Sequence, residues 1–189
     1  TASEVLADFE AWLGRTSLDE CAVIRTPAVP SDFPVLVAAQ KAKCTVLKRS
    51  QLLGKLTRDH PTLAVAGTHG KTTTTALLSW VLQASGRKPG FMVGGWLKNF
   101  DNNHQVPEGN YFVTEGDEYD SAFFDKGPKF LHYRPDISIL TGIEFDHADI
   151  FDNLDQIKGA FRKYVSLISP EGVILVKYAD SNIQDVLGE

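Results

Sequence analysis

Short apolar runs alternate with polar and glycine-rich segments along most of this chain. Four of these runs lie at residues 63–66, 111–113, 137–140 and 173–176. Each run is short and is bounded by turn residues or by a helical pattern, which is typical of strands buried on both faces of a parallel sheet. The pattern therefore predicts an α/β fold with a mainly parallel sheet.

Apolar residues at helical spacing lie between these strands. Residues 71–85 predict a helix that ends near Gly86, because glycine is common just beyond the end of a helix. A second helix carries an apolar stripe made of Phe161, Tyr164, Val165 and Ile168. We interpret this stripe as the face that packs on the sheet.

The first part of the chain also predicts alternating helices and strands. In order, it predicts a helix that includes Leu6, Phe9 and Leu13, a strand at 21–24, a loop at 26–32, a helix at 35–42, a brief strand at 46–47 and a helix from a Ser50 cap to Leu56. Pro27 and Pro30 exclude a helix from the loop, because proline restricts its own backbone and that of the preceding residue. We place a domain boundary at His60-Pro61, between an α/β segment at 1–60 and a second domain at 61–189.

Length and charge narrow the classes of function. The chain has 189 residues, of which 43% are hydrophobic, and this fits a globular protein of one domain, or of one domain and part of another. Its formal net charge of -5 and the lack of a basic block argue against a nucleic-acid surface. No apolar run approaches the roughly 20 residues that span a bilayer, and the mixed, acidic start does not resemble a signal peptide. We expect a protein that binds neither nucleic acid nor membrane.

Two further features concern the cysteines and the start of the chain. Cys21 and Cys44 are far apart in the sequence and lack metal-ligand spacing, so we interpret them as buried free thiols in a reducing compartment. The chain begins with Thr1 and its only methionine is Met92. We therefore expect it to be a piece of a longer protein.

The segment Gly67-Thr68-His69-Gly70-Lys71-Thr72-Thr73 follows a predicted strand and begins a predicted helix. It matches the second half of the phosphate-loop pattern G-x-x-x-x-G-K-[ST], but Val65 stands where the first glycine belongs, so the loop is a shortened variant. Backbone N–H groups at a helix N-terminus attract anions. In a phosphate site, Lys71 would reach the β- and γ-phosphates and Thr72 would offer its hydroxyl to Mg²⁺. The alternative is a glycine-rich turn with a capping threonine, but the strand and helix context favours phosphate.

Acidic residues follow two other predicted strands. Glu115 ends the strand that contains the run at 111–113 and has the right position to hold a metal ion, although residues 115–120 could also be an acidic surface loop. Residues 144–149 follow a third strand and contain His147, which could be a metal ligand, a base or a surface residue. Because open α/β sheets bind ligands at the carboxyl ends of their strands, we favour the ligand site.

Three motifs in this order resemble the Mur ligase family, the ATP-dependent ligases of bacterial cell-wall synthesis. The motifs lie at residues 67–73, 115–120 and 144–149. The short G-T-x-G-K-T loop of that family accounts for the missing first glycine. The resemblance implies a partial Rossmann-like, UDP-sugar-binding domain at 1–60, an incomplete P-loop ATP-binding domain at 61–189, and a C-terminal domain that is absent. It also implies a bacterial cytoplasmic protein.

The resemblance further implies a reaction and a set of site residues. ATP would phosphorylate the carboxylate of UDP-N-acetylmuramate, and an amine would then displace phosphate from the acyl phosphate. The ATP phosphates would be bound by Gly67, Thr68, His69, Gly70, Lys71, Thr72 and Thr73. The implied catalytic residues are Lys71, Glu115 and His147, and the implied Mg²⁺ ligands are Thr72, Glu115 and His147. Asp146 would orient His147 or another ligand, and residues 26–28 are the trace of a UDP-sugar contact.

Within the family, the chain is most similar to the branch that joins UDP-N-acetylmuramate to an incoming amine. Residues 121–126 and 130–135 resemble those of the member whose amine is L-alanyl-γ-D-glutamyl-meso-diaminopimelate, which serves peptidoglycan recycling. L-Alanine as the amine and an ATP-binding fragment without activity of its own stay open as alternatives. A P-loop kinase or GTPase is disfavoured, because the sequence has neither an arginine-rich lid nor an N-K-x-D motif. The sequence does not indicate the oligomeric state.

Overall fold

The computed structural model describes residues 2–26, 28–117, 129–146 and 151–188. The described residues form two compact units, of which the first runs to Leu53 and the second begins at Gly54. The domain boundary that we place at His60-Pro61 lies further along the chain and stays a prediction. None of the described helices is both long enough and apolar enough to span a bilayer.

The first unit contains helices and a two-stranded parallel sheet. Its elements are α1 (Ala2–Leu13), a 3₁₀ turn (Leu18–Glu20), β1 (Ala22–Arg25), α2 (Pro34–Lys41), β2 (Thr45–Lys48) and the start of α3 (Arg49–Asp59). Ala22 is the register partner of Thr45 in the β1–β2 pair. The predicted order of elements is confirmed with slightly shifted bounds. The predicted Ser50 cap is wrong, because α3 already begins at Arg49 and Ser50 lies inside the helix.

The second unit is built around a six-stranded sheet. Its strands are β3 (Thr62–Ala66), β4 (Gly90–Leu97), β5 (Asn102–Gln105), β6 (Phe112–Gly116), β7 (Ile137–Leu140) and β8 (Val173–Val176). Its helices, besides the end of α3, are α4 (Lys71–Ala84), α5 (Leu154–Val165) and α6 (Ser181–Leu187), with a 3₁₀ turn at Lys129–His132. The strand order is β5-β4-β6-β3-β7-β8. All neighbouring strands are parallel except β4 and β5.

Strand β3 lies at the centre of this sheet, between β6 and β7. Val65 is the register partner of Glu115 on one side and of Ile139 on the other. All five residues of β3 are buried. A parallel strand with a neighbour on each side has its carboxyl end flanked by two further carboxyl ends, so the loop after β3 has strand ends on both sides.

Strand β4 was missing from the sequence prediction, as was β5. The three glycines of residues 90–97 interrupt the apolar run that would have indicated a strand. Phe91, Val93 and Leu97 are nevertheless buried and form a cluster with apolar residues of α4. Strand pairing and this packing outweigh the weak local strand preference of glycine.

Strand β8 differs from the prediction that every run is buried on both faces. It is an edge strand whose residues alternate between exposed and half-buried. Val173 and Leu175 are 50% and 53% exposed. An edge strand pairs on one side only, so its apolar residues need not be enclosed.

Helix α5 packs against the sheet through aromatic residues. Phe161 and Tyr164 are fully buried, which confirms this part of the predicted stripe, whereas Ile168 lies beyond the helix end at Val165. The Tyr164 ring lies 4.7 Å from that of Phe130, measured between centroids. The Tyr164 hydroxyl is 2.9 Å from Ser138 Oγ, and burial raises the pKa of this phenol well above its ordinary value. The hydroxyl therefore stays protonated and joins α5 to β7.

Replacing Tyr164 by phenylalanine should destabilise the second unit. The change leaves the fully buried Ser138 hydroxyl without its partner, which costs about 1–3 kcal/mol. Removing both hydroxyls, as in S138A/Y164F, should cost less than Y164F alone, because no polar group is then buried unpaired. The free energy of unfolding in urea measures both effects. A double variant that is less stable than Y164F would contradict this account.

Candidate functional site

The loop between β3 and α4 has the backbone of a phosphate-binding turn. Gly67 and Gly70 have φ angles of 130° and 81°, a region that favours glycine. The loop lies against the segment that follows β7. Thr68 N donates to the Gly142 carbonyl oxygen at 2.9 Å, and Thr141 N donates to the Ala66 oxygen at 3.0 Å. The turn is therefore fixed from one side by backbone hydrogen bonds.

Gly67 stands where this contact is closest. A Cβ atom at this position would collide with Thr141 Oγ1 and lie 2.9 Å from the Gly142 oxygen. The Thr141 hydroxyl is also within hydrogen-bond distance of the His69 and Ala66 carbonyl oxygens. The loop thus needs a glycine at position 67 for space as well as for conformation.

Lys71 is turned back onto this loop. It is 8% exposed, and its Nζ donates to the carbonyl oxygens of Gly67 at 2.7 Å and Thr68 at 3.3 Å. These neutral acceptors hold the ammonium group at the mouth of the turn. A phosphate there would offer it a charged acceptor, and charge-assisted hydrogen bonds are roughly twice as strong as neutral ones.

Glu115 and Thr72 meet beside the loop. Thr72 Oγ1 donates to Glu115 Oε2 at 3.2 Å, and the Gly94 backbone N–H donates to Glu115 Oε1 at 2.6 Å. A Cβ at Gly95 would lie 3.2 Å from Thr72 Cγ2. Strand β4 therefore orients the carboxylate through Gly94. Sequence reasoning missed this residue, although the Gly94-Gly95 pair was the signal that could have indicated a close approach.

Thr68 joins the loop to the acidic segment after β7. Its hydroxyl is 2.9 Å from Glu144 N, from which it accepts, and 3.1 Å from the Glu144 carbonyl oxygen, to which it donates. The residue is 6% exposed. The hydroxyl both donates and accepts within the protein, and in this way it positions Glu144. The predicted contact of Thr68 with phosphate stays a prediction.

His69 lies near the same acidic segment. Its ring nitrogens are 3.9 Å from Glu144 Oε2 and 4.0 Å from Asp146 Oδ2, and all three side chains are well exposed. Ion pairs between exposed groups contribute little to stability. Thr73 is exposed in the first turn of α4. His147 lies outside the described residues.

Side chains at the start of α6 also hold the segment that follows β7. Asp180 caps this helix through the N–H groups of Asn182 and Ile183, and its other oxygen accepts from Ile143 N at 3.2 Å. Asn182 Nδ2 in turn donates to the Ile143 carbonyl oxygen at 2.7 Å. Sequence reasoning gave these two polar residues no role. Their side chains fix the backbone directly ahead of Glu144.

Comparison with known protein families identifies the family to which this chain belongs. The Mur ligase middle domain matches residues 65–189, which is more than half of the chain. The chain belongs to the Mur ligase family. The resemblance inferred from the three motifs is thereby confirmed.

Two curated relatives of this Mur ligase chain carry the name UDP-N-acetylmuramate--L-alanyl-gamma-D-glutamyl-meso-2,6-diaminoheptandioate ligase. The one from Haemophilus influenzae is 46% identical over 132 residues, which are 70% of this chain and 29% of the relative. The one from Escherichia coli K12 is 48% identical over 130 residues, which are 69% of this chain and 28% of the relative. A UDP-N-acetylmuramate--L-alanine ligase from Syntrophomonas wolfei is 40% identical over 159 residues, which are 84% of this chain and 33% of the relative. The Mur ligase chain thus spans about a third or less of these proteins.

Solved structures support the fold of this Mur ligase chain. The UDP-N-acetylmuramate:L-alanyl-gamma-D-glutamyl-meso-diaminopimelate ligase from Neisseria meningitides matches with a TM-score of 0.74 and 38% identity, over 88% of this chain and 55% of that chain. A murein peptide ligase from Psychrobacter arcticus matches with a TM-score of 0.70 and 32% identity, over 88% of this chain and 38% of that chain. The predicted α/β fold with a mainly parallel sheet is confirmed.

The residues of this Mur ligase chain fit the groups that the family implies. Gly67 and Gly70 shape a turn in front of a helix N-terminus, which suits a phosphate. The hydroxyl of Thr72 and the carboxylate of Glu115 are hard oxygen ligands of the kind that Mg²⁺ prefers. The described residues contain no group of three or more histidine, cysteine, aspartate or glutamate side chains that could hold a metal ion. The fit to Mg²⁺ therefore rests on this pair of oxygen groups.

Replacing Gly67 by alanine should destabilise this Mur ligase chain by more than about 2 kcal/mol, because the Cβ meets Thr141 and the φ angle is unfavourable. Gly159→Ala in α5 is the matched control, since a Cβ there has no atom within 4 Å. The control should be neutral or stabilising by up to about 1 kcal/mol. Urea unfolding measures both. Equal stabilities of the two variants would refute the close contact at Gly67.

Replacing Thr68 by valine should cost about 1–3 kcal/mol, because valine keeps the shape but leaves the Glu144 amide without its acceptor. Thr68→Ser keeps the hydroxyl and serves as the control. Urea unfolding gives the change in stability, and hydrogen exchange at the Glu144 amide should be faster in T68V alone. Similar exchange in both variants would show that the hydroxyl does not hold this segment.

Proposed function

We propose that this chain is the ATP-binding part of a ligase that joins UDP-N-acetylmuramate to L-alanyl-γ-D-glutamyl-meso-diaminopimelate. The observation that carries this proposal is the 46% and 48% identity to relatives named for that reaction. The L-alanine ligases from Syntrophomonas wolfei and Caldicellulosiruptor bescii are 40% and 33% identical. Because the chain spans only 29% and 28% of the first two relatives, the complete activity is assigned to a longer parent protein in the bacterial cytoplasm.

The proposed reaction has two steps. An oxygen of the muramyl carboxylate attacks the γ-phosphorus of ATP, ADP leaves, and an acyl phosphate forms. The amine nitrogen then attacks the acyl carbon, inorganic phosphate leaves, and the nitrogen loses a proton to give the amide. The protein contributes mainly positioning and the neutralisation of negative charge, as is typical of phosphoryl transfer.

The phosphate loop would bind the ATP phosphates in this proposal. The glycines at 67 and 70 allow the backbone to approach the phosphates closely, and the helix dipole of α4 favours negative charge there. Lys71 would exchange its bonds with the loop carbonyls for bonds to the β- and γ-phosphates. Its ammonium is already close to the loop, so the required movement is a side-chain rotation.

Thr72 and Glu115 would hold Mg²⁺, which neutralises phosphate charge during the transfer. Their oxygen atoms are 3.2 Å apart, and the Gly94 N–H fixes the carboxylate while leaving Oε2 directed at Thr72. His147 would serve a second Mg²⁺ as a catalytic residue, and this assignment rests on the family motif at 144–149. Asp146, which has an interaction of its own with His69, would orient the ligands there.

Substrate binding involves other parts of the parent. We propose that residues 1–60 belong to the UDP-sugar-binding domain and that residues 26–28 contact the UDP-sugar. The amine would be brought by a C-terminal domain of the longer parent, since the chain spans only 29% and 28% of the two relatives named for this reaction. The 189-residue chain alone should therefore give no multiple turnover, and amide formation by it would contradict this division of labour.

The second candidate is the ligation of L-alanine. One observation favours it: the match to the Syntrophomonas wolfei L-alanine ligase extends over 84% of this chain, against 70% for the relative from Haemophilus influenzae. The two candidates share the phosphate loop and the acyl phosphate. They differ in the amine alone.

The test of the proposal is phosphate release by the full-length parent with Mg-ATP and UDP-N-acetylmuramate. L-Alanine and the tripeptide are supplied separately, and the products are weighed by mass spectrometry. Turnover with the tripeptide alone supports the proposal, whereas turnover with L-alanine establishes the second candidate. Absence of turnover with either amine would refute both muramyl assignments.

Replacing Glu115 by glutamine in the parent should weaken Mg-ATP binding at least about tenfold, because the amide keeps the size but removes the charge that faces the metal. Glu108→Gln is the matched control, since Glu108 pairs with Lys88 and both side chains are exposed. Isothermal titration calorimetry with and without Mg²⁺ measures the effect. Equal affinities of the two variants for Mg-ATP would remove Glu115 from the metal site.

A further inference from the structure

Cys21 and Cys44 occupy equivalent places in the first unit. Each directly precedes a strand, β1 or β2, and the first residues of these parallel strands, Ala22 and Thr45, are register partners. Cys21 and Cys44 each lie one residue before these register partners, so they are neighbours at the start of the β1–β2 pair. Residues in register on neighbouring parallel strands point to the same face, about 4.8 Å apart. The two cysteines are far apart in the sequence, and the crossover connection through α2 makes them neighbours in the fold.

The two thiols share a partly enclosed environment. Both are free, Cys44 is buried and Cys21 is half-buried. Desolvation raises the pKa of the Cys21 thiol most, and the nearby Cys44 thiol raises that pKa further, as does Asp19. Cys21 Sγ also lies 3.8 Å from the Leu18 carbonyl oxygen. The two thiols are therefore close neighbours, and Cys21 is the more exposed member of the pair.

We propose that Cys21 and Cys44 form an oxidisable dithiol site, in which a peroxide converts the pair into an intramolecular disulfide. Disulfides need Cα atoms about 4.4–6.8 Å apart, and the spacing of neighbouring strands falls in that range. The site lies in the first unit and uses none of the residues assigned to ATP. It is therefore independent of the proposed ligase reaction.

The chemistry proceeds in two balanced steps. The Cys21 thiolate attacks one oxygen of hydrogen peroxide, forming a sulfenic acid, and hydroxide leaves. The Cys44 sulfur then attacks the Cys21 sulfur, the S–S bond forms, and the sulfenic oxygen leaves as water with the Cys44 proton. In sum, two thiols and one peroxide give one disulfide and two waters. The two sulfur atoms supply the two electrons that reduce the peroxide.

The disulfide would close a ring that contains α2 and join the starts of the two strands. Closing a ring restricts the unfolded chain and stabilises the folded unit. The loop at 26–32 follows the opposite, carboxyl end of β1. The disulfide would therefore link the starts of β1 and β2, at the opposite end of β1 from this loop.

The test uses the native 189-residue chain, whose two cysteines are the only ones in the sequence. The chain is treated with hydrogen peroxide at about pH 9.5, because the thiolate is the reactive form and the pKa of Cys21 is raised above its ordinary value. We expect the thiol titre to fall from two to zero per chain and the mass to fall by about 2 Da, as two hydrogens are lost. Dithiothreitol should restore both values.

Cys44→Ser separates the two steps. Without the resolving thiol, the sulfenic acid at Cys21 should persist and react with dimedone, whereas in the native chain Cys44 captures it first. We expect at least about tenfold more dimedone adduct in C44S than in the native chain, because a positioned thiol outcompetes a dissolved reagent. Circular dichroism before oxidation confirms that both proteins are folded.

Three results would overturn the proposal. Retention of both thiols after peroxide treatment would show that the pair is not oxidisable. Disulfide-linked dimers on a non-reducing gel would show that the thiols reach other chains rather than each other. Accumulation of sulfenic or sulfinic acid in the native chain, to the extent seen in C44S, would show that Cys44 does not resolve the intermediate.

Discussion

The phosphate loop depends on its contact with the segment that follows β7. Gly67 leaves space for the Thr141 side chain, and the Thr68 hydroxyl bonds to both the N–H and the carbonyl group of Glu144. A loop with two glycines has many conformations in the unfolded chain, and fixing one of them is entropically unfavourable. These hydrogen bonds, which are partly buried, select the conformation in which the backbone can receive an anion.

Contacts from other elements likewise orient the carboxylate of Glu115, in the part of the site that would hold the metal ion. Glu115 stands at the end of β6, but the direction of its carboxylate is set by the Gly94 N–H on β4 and by Thr72 on α4. A carboxylate that is already directed at the metal position loses little side-chain entropy when the metal binds. Three elements that are remote in sequence therefore define one pair of oxygen ligands.

Side chains at the start of α6 also hold the backbone of the acidic segment. Asp180 and Asn182 hold the backbone of Ile143 from one side, while Thr68 holds Glu144 from the other. The segment between them carries no regular secondary structure, so its backbone groups have no ladder partners. Side chains from the loop and from α6 supply those partners, which links the position of the acidic motif to the phosphate loop.

The sequence by itself determined the fold class, the central strand, the phosphate loop with Lys71 and Thr72, and Glu115 at a strand end. These features are local: apolar runs, helical spacing and a motif state them within a few residues. Strands β4 and β5, the role of Gly94, the bonds of Thr68 and Asp180, and the pairing of Cys21 with Cys44 were decided by the tertiary structure alone. Each depends on which strands become neighbours, and a single sequence carries no local signal for partners that are dozens of residues away.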